Sequence, residues 1–284
     1  MDNALEAPSP YEAVPIEFSY ARGADALWQT SRRSGFQERD LKLKRASRGQ
    51  MEAIELRAEG AGVLSSWPGV DEAVFMLLYV MAGNISFEMR DGETITLNPR
   101  DVVHIPFLLG TGKATYSDGL HLVEISARKP ADGSELVPLL RMEPKAHDGP
   151  WEDAIVRNRK ELFLRGDGPR AFFTYRDLGS ARITDRRIHV HDGDGTEQEL
   201  VEGTGWHNHS MSQFFFILGG AATIDVEHQG SFRVEPGDAM TLGKGMRHDV
   251  TNIAVGYNVI EVCLPADYST TARTAPKSQD RING

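Results

Sequence analysis

Trp206-His207-Asn208-His209-Ser210-Met211-Ser212-Gln213-Phe214-Phe215-Phe216-Ile217-Leu218-Gly219-Gly220 is the stretch on which the reading of this 284-residue chain turns. The apolar run from Phe214 to Leu218, closed by glycine, reads as a buried strand ending in a turn. Ahead of it, His207 and His209 stand two apart in a segment expected to be extended. Residues i and i+2 of a strand share a face, so both imidazoles can reach one point. Gln213 follows at another even spacing and can bring a carbonyl oxygen to the same side. His248 lies 41 residues beyond His207, behind the turn Pro236-Gly237-Asp238, on a strand that can run alongside. Three neutral imidazoles and an amide oxygen suit a first-row divalent ion with positions left open for water or substrate. The same alternation puts Phe215 and Ile217 on the Gln213 face and Phe214 and Phe216 on the other. Core packing is the ordinary role of all four, and Trp206 is placed to cover a pocket mouth.

Working outward, the second half of the chain matches the first at a fixed offset of 137 residues. Gly220 falls on Gly83, Pro236 on Pro99, Asp238 on Asp101, Gly256 on Gly119 and Glu261 on Glu124. Apolar positions follow, with Ile217 on Val80, Ile224 on Phe87 and Val259 on Leu122. One β unit is therefore read as duplicated. Short alternating segments such as Thr94 to Leu97 and Ala222 to Val226, punctuated by 28 glycines and 14 prolines, indicate an all-β chain of antiparallel rolls. Helical segments are few, Gly23 to Gln29 and Trp151 to Leu164 being the candidates.

Composition narrows the function. Asp and Glu total 41 against 31 Lys and Arg, a formal charge of −10, so the concentrated positive charge that a nucleic acid requires is not supplied. Cys263 is the one cysteine, which excludes an intramolecular disulfide and a thiolate-rich metal cluster; a small buried hydrophobe is its expected role. Neither a signal-like N-terminus nor an apolar run of membrane-spanning length is visible, so no membrane partner and a cytoplasmic location are expected.

These residues resemble the cupins, whose first motif is G(x)5HxH(x)3,4E(x)6G and whose second is G(x)5PxG(x)2H(x)3N. The first appears as His207, His209, Gln213 and Gly220, with Gln where the family usually has Glu. The second appears as Gly237, Gly243-Lys244-Gly245, His248 and Asn252, with Gly243 in place of proline. Because both halves are covered, the resemblance implies a bicupin of two double-stranded β-helix (jelly-roll) barrels with few short helices. A narrower similarity, to bacterial cupins with a Tyr-Arg-Asp-Leu-Gly stretch, here Tyr175 to Gly179, names no reaction. The expected layout is an N-terminal extension over 1–37, a degenerate barrel over 38–137, a linker over 138–170, a metal-binding barrel over 171–268 and a loose tail over 269–284.

The offset maps His207, His209, Gln213 and His248 onto Val70, Glu72, Met76 and Thr111, which cannot together hold a metal. The first barrel, which keeps the family's proline at Pro106, is expected to be metal-free and to pack against its twin or a second subunit, with a homodimer as the assembly. In the second barrel one divalent metal is expected on His207, His209, His248 and Gln213, iron(II) being favoured and manganese, nickel or zinc compatible. Gln leaves the site with a higher net charge than Glu would, which favours a small, anionic substrate bound directly to the metal. By family analogy the reaction is a dioxygenase cleavage of an enol, phenol or keto acid. The alternatives are a non-redox lyase or isomerase acting on a sugar-acid-like or other carboxylate substrate, and a small-ligand-binding protein without turnover. Glu261 and His191 are the candidates for moving a proton, although the recurrence of Glu124 gives that glutamate a structural reading, and an exposed barrel rim is the commoner setting for a pair such as His189 and His191. Arg247 and Arg182 are candidates to clamp a carboxylate, with solvated surface as their ordinary role. His104, His121, His147 and His228 have no partner spacing.

Overall fold

The computed structural model describes residues 9–69, 72–89, 92–105, 113–128, 135–142, 151–166, 171–195 and 198–276. It is almost entirely antiparallel β-structure, with two four-residue α-helices, Leu43–Ala46 and Ser180–Ile183. The chain divides into two compact units, one of residues 1–25 with 160–284, the other of residues 26–159.

In the first unit a seven-stranded sheet runs in the order Ser19–Ala21, Ala239–Leu242, Ser212–Gly219, Asn258–Leu264, His189–Asp194, Thr174–Asp177, Leu164–Arg165. Its companion has five strands, Gly230–Val234, Ala222–Val226, His248–Thr251, His207–His209 and Thr270–Ala272. Alternation sends Phe215, Ile217, Ile224, Met240, Leu242 and Val259 into one apolar cluster between them. Phe214 and Phe216 lie on the opposite face of their strand and are also fully buried.

The second unit repeats this plan. Its seven-stranded sheet is ordered Ile155–Val156, Val102–His104, Ala73–Ala82, His121–Arg128, Glu52–Ala58, Phe36–Asp40, Gln29–Thr30, and its smaller sheet Gly62–Leu64, Ala114–Tyr116, Ile85–Glu88, Thr94–Leu97. The duplication reaches further upstream than the positions that first suggested it. Arg39-Asp40-Leu41 recurs as Arg176-Asp177-Leu178, and the two helices are 137 residues apart. In both copies the Asp accepts a hydrogen bond at 2.8 Å from the backbone N–H two residues on (Lys42, Gly179), and Arg39–Glu55 recurs as the buried pair Arg176–Asp192.

The segments between and before the barrels are built into sheets. Ser19–Ala21 is the edge strand beside Ala239–Leu242, while Ile155–Val156 is the edge strand beside Val102–His104. A duplicated aspartate fixes each of them. Asp238 accepts the Gly23 N–H at 2.7 Å and the Tyr20 hydroxyl at 2.6 Å. Asp101 accepts the Asn158 N–H at 2.7 Å and Arg157 Nη1 at 2.9 Å. This ladder pairing explains why the expected helices at Gly23 to Gln29 and Trp151 to Leu164 are only short 3-10 turns, Gly23–Asp25, Trp151–Ala154 and Lys160–Leu162, interleaved with strand. The stretch expected to be a loose tail likewise contributes the strand Thr270–Ala272, paired to His207–His209.

Gly243, the departure from the family's proline, has a steric cause. A Cβ at this position would lie 2.3 Å from the Ile16 carbonyl oxygen, because the N-terminal segment passes directly over it. Gly243→Ala is expected to destabilise the protein by about 1–3 kcal/mol, the range for overpacking a filled site. Urea unfolding checks this, and wild-type stability in the variant would show that the N-terminal segment does not press on Gly243.

Candidate metal centre

His207 and His248 face each other across neighbouring strands, and His209 follows on the same face as His207. All three are buried, and one ligand nitrogen from each lies within 4.8 Å of the others. Each ring is held through Nδ1. His207 Nδ1–H donates to the Gly205 carbonyl at 2.6 Å and His248 Nδ1–H to the Met246 carbonyl at 3.1 Å, while His209 Nδ1 bonds Thr270 Oγ1 at 2.9 Å. A carbonyl can only accept, so in His207 and His248 the proton is on Nδ1 and the lone pair is on Nε2. Outer hydrogen bonds of this kind fix tautomer and ring orientation in metal-binding histidines. Three buried imidazoles presented through Nε2 fit a divalent ion.

The three rings open on a cavity of about 60 Å³. Its other walls include Phe173, Tyr175, Phe215, Ile224, Tyr257 and Val259, with Gln213 and Glu261 as polar members. That volume holds only a few water-sized groups. Gln213 Nε2 donates to Glu261 Oε1 at 2.5 Å, which assigns the amide orientation and makes its carbonyl oxygen the end able to serve a metal. Glu261 Oε2 lies 3.0 Å from His191 Nε2. Burial, with the carboxylates of Asp238 and Glu261 beside them respectively, pushes the Tyr20 and Tyr257 phenols above their ordinary range, so Tyr257 is a neutral wall.

Strand register explains these neighbours. His189, Cys263 and Gln213 are directly opposite one another in one row, and His191, Glu261 and Phe215 in the next. The exposed-rim reading of the His189/His191 pair is therefore corrected: His191 is 4% exposed and touches Glu261. Cys263 is buried as expected, but it belongs to a polar cluster with the two histidines. An even spacing from Glu261 was the sequence signal for it. Thr270 and Tyr268, whose ring meets His209 edge-on at 5.5 Å, were hidden because they follow the motif in a stretch rich in small polar residues. Trp206 does not line the cavity, and its carbonyl accepts the Arg273 N–H. Neither arginine clamps this cavity: Arg247 Nε donates to Glu227 at 2.5 Å, and Arg182 lies on the helix Ser180–Ile183.

In the other unit the fixed offset fails locally. Thr223 pairs with Thr251 and Ser86 with Thr115, so the strand holding His248 is displaced by 136 residues (251 − 115) and its counterpart is Gly112, not Thr111. The strand beside Ala114–Tyr116, in the place of His207–His209, is Gly62–Leu64. Val70, Thr111, Gly112 and Pro106 lie outside the described residues, Glu72 is exposed and Met76 is in the core. Trp67 and two arginines fill the interior there. Trp67 Nε1 donates to Glu124 at 2.8 Å, Arg33 Nη2 at 2.6 and 2.5 Å, and Arg128 Nη2 at 2.7 Å. Glu124 is thus fully committed to structure, whereas its repeat partner Glu261 faces a cavity.

Comparison with known proteins agrees with this geometry. The cupin-domain family profile matches residues 196–259. A structure of oxalate decarboxylase determined for its substrate binding mode superposes with a TM-score of 0.55 at 12% identity, covering 89% of this chain and 78% of that one. The Bacillus subtilis oxalate decarboxylase, in a study of its Mn(II) centres, gives 0.53 at 13% identity with the same coverages, and a single-residue mutant of that enzyme gives 0.54, also at 13%. A search of curated protein sequences finds no match. Among the described residues no helix is long and apolar enough to cross a membrane.

Burial beside His191 pushes the His189 imidazolium down to about 4. An imidazole in the unfolded chain titrates near about 6.5. The folded state therefore keeps His189 neutral where the unfolded state takes up a proton, so its contribution is present above about pH 6.5 and is lost as pH falls toward 4. In metal-free protein, His189→Phe is expected to lose less stability across that window than wild type. Equal acid slopes in urea unfolding would contradict this.

Proposed function

Starting from the bicupin fold and from a cupin motif that converges on one cavity, we propose that the barrel of residues 171–268 is a divalent-metal lyase acting on a small carboxylate. The ligands would be His207, His209, His248 and the Gln213 carbonyl oxygen. The carrying observation is that three buried imidazoles, each tied through Nδ1, share one small cavity with a single carboxyl group, Glu261. The iron dioxygenase expectation gives way, since the neighbours of this fold are decarboxylases and one of them is described for manganese. Manganese(II) is thus the first metal to test.

A divalent ion bound there supplies a Lewis acid for the negative charge of a substrate oxygen. The chain's own residues do the rest. Gln213, as a neutral donor, leaves the ion's charge undiminished, which suits an anion in a cavity lined by no arginine or lysine. Phe173, Phe215, Ile224 and Val259 exclude water and lower the local dielectric, strengthening that attraction. Glu261 is placed to carry a proton to or from substrate at a carboxyl oxygen, and His191 Nε2 at 3.0 Å orients it and exchanges that proton. The volume of about 60 Å³ restricts the reacting end of the substrate to a few heavy atoms.

The manganese-loaded protein, given a panel of small mono- and dicarboxylates including oxalate, is expected to release carbon dioxide without stoichiometric oxygen uptake. Oxygen consumed mole for mole with substrate would overturn the lyase reading. Glu261→Gln should keep the metal and lose roughly 10²–10⁴-fold in turnover. His207→Ala and His248→Ala should each abolish metal binding in this barrel, and wild-type stoichiometry in either would remove the assigned site.

A further inference from the structure

Behind Glu261 lies a second group of metal-ligating side chains that the lyase reading does not use. His189 and His191 are two apart on the strand His189–Asp194, and Cys263 is directly opposite His189 on the strand Asn258–Leu264. One ligand atom from each of the three lies within 4.8 Å of the others. The imidazole rings are 4.9 Å apart. Cys263 is fully buried and its Sγ donates to Glu261 Oε1 at 3.5 Å.

His191 supplies the independent observation. Its Nε2 is engaged with Glu261 at 3.0 Å, but its Nδ1 is buried without a hydrogen-bond partner in a residue only 4% exposed. A buried ring nitrogen left without a partner costs about 1–3 kcal/mol. A lone pair there is satisfied by a cation, with Nε2–H donating to a carboxylate, the arrangement in which metal-binding histidines are commonly held.

We propose that His189, His191 through Nδ1, and the thiolate of Cys263 form a second metal site, selective for a thiophilic cation of the zinc(II) class. Two imidazoles and one thiolate are a donor set that zinc accepts and that manganese or magnesium, which prefer oxygen, do not. Bonds of about 2.0–2.3 Å place ligand atoms on the order of 3.5 Å apart, so side-chain movements on the order of 1 Å close the set. Binding replaces the Sγ–H proton, which leaves to solvent, and no electron is transferred. Glu261 then stands between two centres, bonded to Gln213 on one side and to His191 on the other. A cation on Nδ1 fixes His191 as the Nε2–H donor to Glu261.

The proposal stands apart from the lyase reading, because the first site contains no sulfur and Cys263 is the chain's one cysteine. Titration of the full-length protein with cobalt(II) tests it, since a thiolate-to-cobalt charge-transfer band in the near ultraviolet can arise only at the second site. The expected result is that band together with a second equivalent of bound cobalt. Both should survive His207→Ala and His248→Ala and be lost in Cys263→Ser. His189→Gln, which keeps the thiol, should weaken the band-forming equivalent by roughly tenfold or more. Absence of the band in wild type, its loss in His207→Ala protein with native far-ultraviolet circular dichroism, or unchanged affinity in His189→Gln would each overturn the site.

Discussion

Antiparallel register across three strands governs what this molecule can do. His189–Asp194, Asn258–Leu264 and Ser212–Gly219 are locked so that His189, Cys263 and Gln213 form one row and His191, Glu261 and Phe215 the next. Because side chains alternate, a slip of one residue in any of these pairings would turn its whole polar set out of the barrel. The imidazoles of the smaller sheet meet this wall only because His207 is held opposite His248. The strand Thr270–Ala272, added at the edge beyond the barrel, then sets the His209 ring through Thr270.

The two units show how one inherited frame serves opposite ends. Arg39–Glu55 and Arg176–Asp192 are the same buried ion pair, and Asp101 and Asp238 clasp edge strands in the same way. The divergence is concentrated in the interior. Glu124 is neutralised by two arginines and capped by an indole, an arrangement that satisfies a buried carboxylate and leaves it no capacity for chemistry. Glu261 has an amide and an imidazole instead, partners that orient it without cancelling its charge by permanent cations.

Much of this was legible in the sequence for local reasons. Histidines at even spacing, a strand closed by glycine and a recurring Pro-x-Asp turn each report a backbone periodicity, and periodicity is a property of neighbouring residues. The jelly-roll fold and the convergence of His207, His209, His248 and Gln213 on one cavity follow from such signals. What escaped depends on contacts distant in the chain. Gly23 to Gln29 looks helical until Ser19–Ala21 is seen to pair with Ala239–Leu242, and nothing near Thr270 announces that it will reach His209. The equivalence of His207 with Val70 failed because a constant offset ignores the one-residue drift already present at Thr251 and Thr115. The repeat of Arg39-Asp40-Leu41 in Arg176-Asp177-Leu178 was readable and extends the duplication upstream of the positions that revealed it.

The edge strands also bear on heredity. Ser19–Ala21 completes the unit made mostly of residues 160–284, while Ile155–Val156 completes the unit made of residues 26–159. Neither lobe corresponds to one uninterrupted half of the gene. A contiguous excision of the metal-bearing half would expose the backbone of Ala239–Leu242 and uncover Gly243, leaving an unpaired edge of the kind that recruits foreign strands. The two copies are therefore bound to be transcribed, translated and inherited together, and recombination that separates them is selected against by folding before catalysis is ever at stake.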